Sequence, residues 1–426
     1  MANVLNPRTG DSDPAPTQDT ADDAEQAPLL REPRDGVPPV VADPAALAEA
    51  VDAFAAGSGP VAVDAERASG YRYGQRAYLV QLRRDGAGSA LIDPIACPDL
   101  GSLSAVLDGA EMVLHAAHQD LPCLSEVHLR PATLFDTELA GRLLGYQRVG
   151  LGSMVERVLG VRLAKEHSAV DWSVRPLPHD WLSYAALDVE ILVELRDRLE
   201  SELAEAGKLE WAREEFAGVL AAPPKEPRTD PWRRTSGIHR VRNQRALGVV
   251  RELWNERDRI ARERDISPGR VLPDAAIVDA ALAMPRSQAD LVAIKQFGVR
   301  LARRYVPTWL KSVDRARELS SAELPQPSAP GDGPPPANRW ADRDPAAAKR
   351  LDAARSAVGG VAERVVMPTE NLLQPDTVRR LAWSPPSPVS ADTVAAHLRE
   401  HHAREWQVGL TAEILAEALR GAAGAK

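Results

Sequence analysis

The sequence predicts an α/β domain followed by two small all-α domains. Short apolar strands alternate with helical segments up to about residue 221, which is the pattern of an α/β domain. Two proline-rich stretches divide the rest of the chain, and the charge changes sign between them, from −9 over residues 61–230 to +10 over 231–317. We therefore expect a metal-binding acidic domain beside a module that binds a polyanion. The predicted segments are a disordered acidic tail (1–38), the α/β domain (39–221), a linker (222–236), a helical domain (237–318), a second linker (319–339) and a second helical domain (340–426).

The composition argues against several classes of protein. With 44% hydrophobic residues, a chain of 426 residues can bury substantial cores. It has no apolar run of about 18 residues and does not open with a signal-peptide pattern, so we expect a cytoplasmic protein without a membrane span. Cys97 and Cys123 are too few for a disulfide framework or a zinc site. A G-x-x-x-x-G-K-[ST] loop does not occur, which argues against an ATP-driven motor.

The predicted elements of the α/β domain run from a helix at 43–54 into a meander of three strands. Gly57-Ser58-Gly59-Pro60 ends the helix just before the first strand, at 61–66. The other two strands are predicted at 77–82 and 90–92, and a fourth at 111–115 leads directly into a helix. Further helices are predicted at 136–144, 151–159, 179–206, 240–264, 274–283, 287–293, 298–316, 345–358, 361–364, 375–381, 394–401 and 410–419.

Two carboxylates, Asp64 and Glu66, stand at the end of the first strand. Positions i and i+2 of a strand point to the same face, so both side chains project into one space. Two like charges at that distance repel each other and need compensation. Either the two groups share a proton or they hold a bound cation.

Two further acids stand at positions that can converge on this pair. Asp120 lies in the first turn of the helix that follows the fourth strand, and in an open α/β sheet such strand ends bind ligands. Asp188 lies four residues after Tyr184, on the same face of a helix. Hydrolysis of a phosphodiester uses two divalent cations, and Mg²⁺ and Mn²⁺ prefer oxygen ligands such as these carboxylates. Tyr184 is then placed to position the attacking water.

Three segments, in this order, resemble the three exonuclease motifs of the DEDD superfamily: VAVDAE (61–66), LHAAHQDLPCL (114–124) and YAALDVEIL (184–192). The tyrosine four residues before the last aspartate resembles the DEDDy branch. LIDP (91–94), FDT (135–137) and Lys165 followed by DWSVRPL (171–177) are similar to ribonuclease D. The segment VRELWNERDRIARERDISPGRVLPD (250–274) resembles the HRDC domain, a helical module that binds nucleic acid. Ala65 departs from the threonine common between the first two acids, and NLLQPDTVRRL (371–381) is similar to bacterial ribonuclease D relatives.

This resemblance implies an RNase H-like three-layer α/β/α exonuclease domain followed by two HRDC-like helical domains. Such an enzyme removes nucleotides one at a time from a 3′ end and releases 5′-monophosphates. By the same resemblance, Asp64 would bridge two divalent metal ions, Mg²⁺ or Mn²⁺. Glu66 and Asp188 would hold the ion that activates water, Asp120 would serve the second ion through water, and Tyr184 would orient the water.

Basic residues in the middle of the chain are expected to contact phosphates without sequence preference. A solvated helix face stabilised by ion pairs is the alternative interpretation for any one of these arginines. The residues expected to bind nucleic acid are His115, Lys165, Arg233, Arg234, Arg240, Lys295, Arg303 and Arg304.

The leading hypothesis is a 3′-5′ exonuclease that acts on RNA 3′ ends, such as those of tRNA precursors. Nothing in the motifs reads the 2′-hydroxyl that distinguishes RNA, so a DNA 3′-5′ exonuclease is an alternative. A nucleic-acid-binding protein with a catalytically inactive exonuclease fold is another. The presence of all five catalytic-type residues argues against that second alternative.

Overall fold

The computed structural model describes residues 27–164, 167, 169–224, 226–327 and 333–424. The strands are β1 (Leu29–Leu30), β2 (Val40–Val41), β3 (Ser58–Arg67), β4 (Ala77–Asp85), β5 (Gly88–Ile92), β6 (Glu111–Leu114), β7 (Thr133–Asp136) and β8 (Arg162–Leu163). The helices up to residue 221 are α1 (Pro44–Ala56), α2 (Gly101–Val106), α3 (Leu121–Glu126), α4 (Thr137–Leu143), α5 (Leu151–Leu159), α6 (His179–Glu190), α7 (Leu192–Glu205) and α8 (Leu209–Ala221).

The rest of the described chain is helical. The helices up to residue 318 are α9 (Gln244–Arg264), α10 (Pro268–Val271), α11 (Asp274–Ala283), α12 (Gln288–Ala293), α13 (Arg300–Arg304) and α14 (Val306–Glu318). The last six are α15 (Trp340–Arg343), α16 (Pro345–Arg364), α17 (Thr369–Leu372), α18 (Pro375–Trp383), α19 (Ala391–Glu400) and α20 (Glu405–Gly424). Within the described residues, none of these helices combines the length and apolar character that a membrane span requires.

The central sheet has six strands in the order β2-β5-β4-β3-β6-β7. β3, β4 and β5 form the antiparallel meander that the sequence predicts. β6 runs parallel to β3, and β7 runs parallel to β6. The carboxyl ends of β3 and β6 therefore meet at one edge, which brings the pair Asp64 and Glu66 toward the turn that carries Asp120.

Helices cover both faces of this sheet, as the expected three-layer architecture requires. On one face α6 lies against β3, β4 and β5, and its Ala185 and Ala186 pack with Leu79 and Leu91. On the other face, Phe54 from α1 belongs to the core that contains the strand residues alternating with Leu79 and Leu91. The acids of β3 lie on the face that α6 covers.

The first helix has clear local causes. The Asp43 carboxylate accepts hydrogen bonds from the backbone N–H of Ala45 and Ala46, at 2.9 and 3.0 Å, and Pro44 occupies the first helical position. The helix ends at Gly57, where an added Cβ would lie 2.9 Å from the carbonyl oxygen of Asp85. Glycine at this position lets β3 start against the end of β4.

Three predicted helical stretches are divided differently in the structure. The helix expected over 298–316 is two helices, α13 and α14, which are separated at Tyr305. The helix expected over 179–206 is interrupted at Ile191, so that α6 packs on β3 to β5 while α7 packs on β3 and β6. The helices expected at 345–358 and 361–364 are one helix, α16, which continues through Gly359 and Gly360. The neighbouring Val358 and Val361 are buried, and their packing outweighs a cost of about 1 kcal/mol per glycine.

The predicted disordered tail is wrong for its last twelve residues. Leu29 and Leu30 form β1, which pairs in parallel with β8. The backbone N–H of Arg34 donates to the Glu190 carboxylate at 3.0 Å, which fixes the segment against α6. Residues 1–26 of the predicted tail lie outside the described residues.

The two helical units pack in different ways. Helices α9 to α14 enclose a core of their own, with Phe297 and Trp309 fully buried in it. Helices α15 to α20 instead share one continuous hydrophobic core with the α/β domain. The indole rings of Trp211, in α8, and Trp406, in α20, stack with their centroids 5.0 Å apart, and the Lys208 ammonium donates to the carbonyl oxygen of Val366 at 3.1 Å.

Candidate active site

Three carboxylates converge on the face of the sheet that α6 covers. Asp64 and Glu66 come from β3, and Asp188 comes from the buried side of α6. Carboxylate oxygens of these three residues lie within 4.8 Å of one another. Among the described residues, this is the group of acids that is placed to share one cation.

Tyr184 lies one helical turn before Asp188, and its hydroxyl is close enough to the Asp188 carboxylate to interact with it. Burial raises the pKa of the phenol, and the negative charge of Asp188 raises it further. The hydroxyl therefore keeps its proton at neutral pH and acts as a donor at the edge of the cluster.

Asp120 lies next to this group but has a partner of its own. Its carboxylate forms an ion pair with Arg67, whose guanidinium nitrogen is 2.9 Å away. A second hydrogen bond joins that guanidinium to the carbonyl oxygen of Gln119. The register of β3 against β4 shifts between Glu66 and Arg67, and the extra residue of this bulge, Tyr78, belongs to β4, so that Arg67 keeps the regular alternation of β3. Alternation places Arg67 on the face opposite Glu66, so strand periodicity alone does not indicate its contact with Asp120.

Asp136 is a second residue that the sequence analysis did not place in the site. It is fully buried at the end of β7 and accepts hydrogen bonds from the backbone N–H groups of Ala116 and Ala117, at 3.1 and 2.9 Å. The same carboxylate caps α4 through the N–H of Glu138 at 2.9 Å. It thus ties the turn before Asp120 to the start of α4. The sequence feature that contains Asp136 is the FDT segment, residues 135–137.

Burial and mutual repulsion make the cluster costly when all its acids are ionised. Desolvation raises the pKa of Asp64, and it raises the pKa values of Glu66 and Asp188 well above their ordinary range. The charges of Asp64, Asp188 and Asp120 add to the shift at Glu66. Desolvation also raises the pKa of Asp120 to about 8, although Arg67 opposes the shift. Carboxylates held this close need protons or cations between them.

The donor set fits a hard divalent cation. Every ligand atom of the cluster is a carboxylate oxygen, which suits Mg²⁺ or Mn²⁺ rather than a metal that prefers sulfur or nitrogen. The free cysteines of the described chain are buried, and burial raises the pKa of Cys123 to about 12, so that it stays a thiol.

An ion pair between Arg175 and the buried Asp93 explains two short segments of the sequence, LIDP (91–94) and DWSVRPL (171–177). Arg175 donates from Nε and Nη2 to the Asp93 carboxylate, at 2.6 and 2.8 Å. It also donates to the carbonyl oxygens of Tyr78 and Trp172, at 2.7 and 2.8 Å. The segment 171–177 is thereby fixed to the ends of β4 and β5, beside α6.

The residues expected to bind nucleic acid are placed as follows. The His115 ring is half-buried, and its Nδ1 lies 2.9 Å from the hydroxyl of Thr137, between β6 and α4. Lys165 lies outside the described residues. Arg233 forms an ion pair with Asp230 at 3.0 Å and stacks on Trp232. The remaining residues of this set are exposed side chains: Arg234, Arg240, Lys295, Arg303 and Arg304. Their contact with nucleic acid stays a prediction.

The domain formed by α9 to α14 docks on the segment 68–76, which directly follows the acids of β3. The Tyr73 hydroxyl donates to the Asp258 carboxylate at 2.9 Å, and Arg262 donates to that hydroxyl at 3.1 Å. Arg270 donates to the carbonyl oxygen of Gly70 at 2.7 Å and lies over the Tyr71 ring. This docking places the basic domain at the end of β3 where the carboxylates lie.

Three known families match consecutive parts of the chain. The family described as "3'-5' exonuclease" matches residues 39–204, and the family described as "HRDC domain" matches residues 246–313. Residues 333–419 match a family described as "3' to 5' exonuclease C-terminal domain".

Similar proteins cover most of the chain. Ribonuclease D of Gluconacetobacter diazotrophicus is 32% identical over 323 residues, which are 73% of this chain and 79% of that protein. Ribonuclease D of Escherichia coli is 33% identical over 293 residues, 66% of this chain and 75% of that protein.

Solved structures agree with these matches. A protein from Bifidobacterium adolescentis superimposes with a TM-score of 0.84 at 39% identity, and the match covers 93% of this chain and all of that one. The structure of E. coli RNase D, described as "an exoribonuclease involved in structured RNA processing", superimposes with a TM-score of 0.65 at 28% identity. That match covers 90% of this chain and 98% of the other.

Proposed function

The chain belongs to the ribonuclease D family and is a 3′-5′ exoribonuclease, and from that premise we propose that it trims the 3′ ends of structured RNA precursors, such as tRNA precursors, and releases 5′-mononucleotides. The observation that carries the proposal is the convergence of Asp64, Glu66 and Asp188 within 4.8 Å, with Tyr184 beside Asp188. Precursor RNA is made in the cytoplasm of bacteria, the source of the similar ribonuclease D proteins, and we place the activity there.

The cluster is proposed to hold two divalent cations, Mg²⁺ or Mn²⁺. Asp64 would contact both ions, Glu66 and Asp188 would hold the first, and Asp120 would reach the second through water. When bound, two such ions activate a water and stabilise the leaving oxygen of a phosphodiester. Arg67 would keep Asp120 oriented, because its guanidinium already holds that carboxylate at 2.9 Å.

Tyr184 is proposed to orient the attacking water. Its phenol stays protonated because burial and Asp188 raise its pKa, so its hydroxyl can fix the water by a hydrogen bond. The water oxygen attacks the terminal phosphorus, the bond from phosphorus to the 3′ oxygen breaks, and that oxygen takes up a proton. The products are a 5′-mononucleotide and an RNA that is one residue shorter.

RNA is the proposed substrate in preference to DNA. The support is the similarity to ribonuclease D proteins, one of which has a structure described as that of an exoribonuclease involved in structured RNA processing. The basic domain is proposed to bind the body of a structured RNA while its 3′ end enters the site. Its exposed cations include Lys295, Arg303 and Arg304.

The test is a time course on single-stranded RNA and matching DNA that carry the label at the 5′ or the 3′ end. With Mg²⁺ or Mn²⁺ we expect stepwise shortening from the 3′ end, faster on RNA, with mononucleotide products and full inhibition by chelator. Equal rates on the RNA and on the matching DNA would overturn the proposed preference for RNA. Turnover that persists in chelator would overturn the proposal that the reaction requires metal ions.

A ligand variant tests the assignment of residues. We expect Asp64→Asn to abolish turnover and to leave RNA binding largely intact, because it removes ligation but little surface. Asp108→Asn, at an exposed acid elsewhere in the same domain, is the matched control and should keep wild-type rates. Full activity in purified Asp64→Asn would contradict the two-cation assignment.

A further inference from the structure

A buried glutamine, Gln81, lies in the middle of β4 directly opposite Asp64. The register of the antiparallel pair joins Asp64 to Gln81 and Glu66 to Leu79. Residues that face each other across such a pair project to the same side of the sheet, with Cβ atoms about 4.5–5.5 Å apart. The Gln81 side chain therefore lies beside the acidic cluster.

The residues that flank Gln81 on the same face of the sheet are apolar. On the next strand Gln81 stands opposite Leu91, and two residues before it stands Leu79. Leu79 and Leu91 pack with Ala185 and Ala186 of α6, the helix that carries Asp188. Gln81 is thus enclosed between the sheet and α6, and none of its surface is exposed.

The amide of Gln81 has no partner in the described part of the chain. Both Oε1 and Nε2 are buried without a hydrogen bond, which is costly for a primary amide. An apolar residue would fit a position that leucines flank on the same face, so packing does not explain the glutamine. Among the described residues, the carboxylate cluster lies directly across the strand pair from Gln81 and offers acceptors for Nε2.

We propose that Gln81 is a positioning residue of the active site, whose Nε2 donates a hydrogen bond to the ionised Asp64 carboxylate, directly or through one water, when cations are bound. This inference rests on the proposed function. The bond would fix the orientation of the carboxylate that contacts both cations. Groups that hold a metal ligand in this way change metal affinity or activity by about 10- to 100-fold when they are removed.

Gln81→Met tests the proposal, because methionine keeps the unbranched shape and removes the amide. We expect kcat to fall by about 10- to 100-fold with KM unchanged, and the Mn²⁺ concentration at half-maximal activity to rise. The rise in melting temperature that Mn²⁺ produces should also need more Mn²⁺ to reach its midpoint. In chelator the melting temperature should be unchanged or higher, because an unpaired buried amide has been removed.

Gln407→Met is the matched control. Gln407 is also buried, but its amide has two partners: the N–H of Arg404 donates to Oε1 at 2.7 Å, and Nε2 donates to the carbonyl oxygen of Asn371 at 3.2 Å. We expect Gln407→Met to lower the melting temperature and to keep the wild-type kcat and Mn²⁺ midpoint. Opposite changes in activity and melting temperature in the two variants would distinguish a positioning role of Gln81 from a packing role.

Three outcomes would overturn the inference. Wild-type kcat and an unchanged Mn²⁺ midpoint in Gln81→Met, in an enzyme that is active and stabilised by Mn²⁺, would overturn it and leave the proposed function standing. Loss of the folded state in both Gln81→Met and Gln81→Leu would show that the amide serves folding. A wild-type protein with neither turnover nor a Mn²⁺-induced rise in melting temperature would overturn the proposed function and this inference together.

Discussion

At the scale of single residues, the acidic cluster links the stability of the fold to pH. The pKa of Asp120 is raised to about 8, from an ordinary value of 3.8, because the carboxyl is buried near Asp64. Between these two pH values the folded chain keeps a proton that the unfolded chain releases. The free energy of unfolding of the cation-free protein therefore decreases as the pH rises from about 4 to about 8.

Asp120→Asn should relieve this penalty. In chelator, we expect the melting temperature of the variant to exceed that of the wild type by a margin that grows between pH 5 and pH 8. With saturating Mn²⁺ the margin should shrink or reverse, because the wild type gains the cation. Thermal unfolding across this pH range makes the measurement, with Asp108→Asn as the exposed control. A margin that does not change with pH would contradict the assigned shift.

Alternation and helical spacing were enough to bring Asp64, Glu66 and Asp188 to one place, because both follow from backbone geometry. The side chains that hold them were harder to predict. Alternation places Arg67 on the face opposite Glu66, and its ion pair with Asp120 depends on where the turn after β6 brings Asp120, which sequence patterns do not specify. Gln81 looks like an ordinary polar residue in a strand until the register places it opposite Asp64.

At the scale of elements, the segment 68–76 connects the site to the basic domain. It continues from the end of β3 at Arg67 into Tyr71 and Tyr73, and both tyrosines contact the domain of α9 to α14. The backbone N–H of Ser267 donates to the carbonyl oxygen of Tyr71 at 2.9 Å. The position of the basic domain is therefore set by the same strand that carries two of the acids.

Tyr73→Ala should loosen this docking. It removes the hydrogen bonds to Asp258 and from Arg262, which together correspond to about one to two kcal/mol. We expect kcat/KM on a structured RNA to fall by about tenfold and the rate on a short oligonucleotide to stay the same. Tyr73→Phe, which keeps the ring, should lie between the wild type and the alanine variant. An equal loss on both substrates would place Tyr73 in the chemistry instead.

The elements that were predicted correctly are those with strong local signals. The meander follows from apolar alternation, and α5 follows from apolar residues at helical spacing and ends at Gly160, which adopts the left-handed conformation. The two-residue strands β1 and β2 are too short for any alternation, and only their partners β8 and β5 define them. The break at Ile191 and the continuity of α16 through Gly359 are likewise decided by packing, which overrides local preference.

At the scale of the whole molecule, charge is divided between the acidic α/β domain and the basic domain beside it. Residues 231–317 carry a net charge of +10, although the chain as a whole carries −9. Neutralising Lys295, Arg303 and Arg304 with glutamine should weaken RNA binding. It should also reduce the slope of log affinity against log salt by up to about 2, at about 0.7 per phosphate contact on single strands.

The matched control for this charge change is the same neutralisation at three exposed arginines of the C-terminal unit, Arg343, Arg355 and Arg364. Binding should be measured by fluorescence anisotropy from about 50 to 200 mM salt, the range over which phosphate contacts change affinity most clearly. An equal change of slope in both triple variants would show that net charge, and not the basic domain, governs binding.

The two helical units should respond differently to damage in their cores. Trp406, in α20, stacks on Trp211 and donates to Glu215 at 3.1 Å, within the core shared with the α/β domain. Phe297 is fully buried in the separate core of α9 to α14. Replacing either aromatic residue with alanine lowers the free energy of unfolding by about 3 to 5 kcal/mol, but the two changes destabilise different cooperative units.

We therefore expect Trp406→Ala to lower the temperature at which activity on a short oligonucleotide is lost, by about 6 °C or more. Phe297→Ala should leave that temperature unchanged and should introduce an earlier calorimetric transition from the basic domain, together with weaker binding of structured RNA. Comparing the two variants distinguishes one shared core from two units that only touch. Only in a shared core does destabilisation of α20 also destabilise the sheet that carries Asp64. An unchanged inactivation temperature in Trp406→Ala would show that the C-terminal unit unfolds on its own and that the catalytic domain is stable without it.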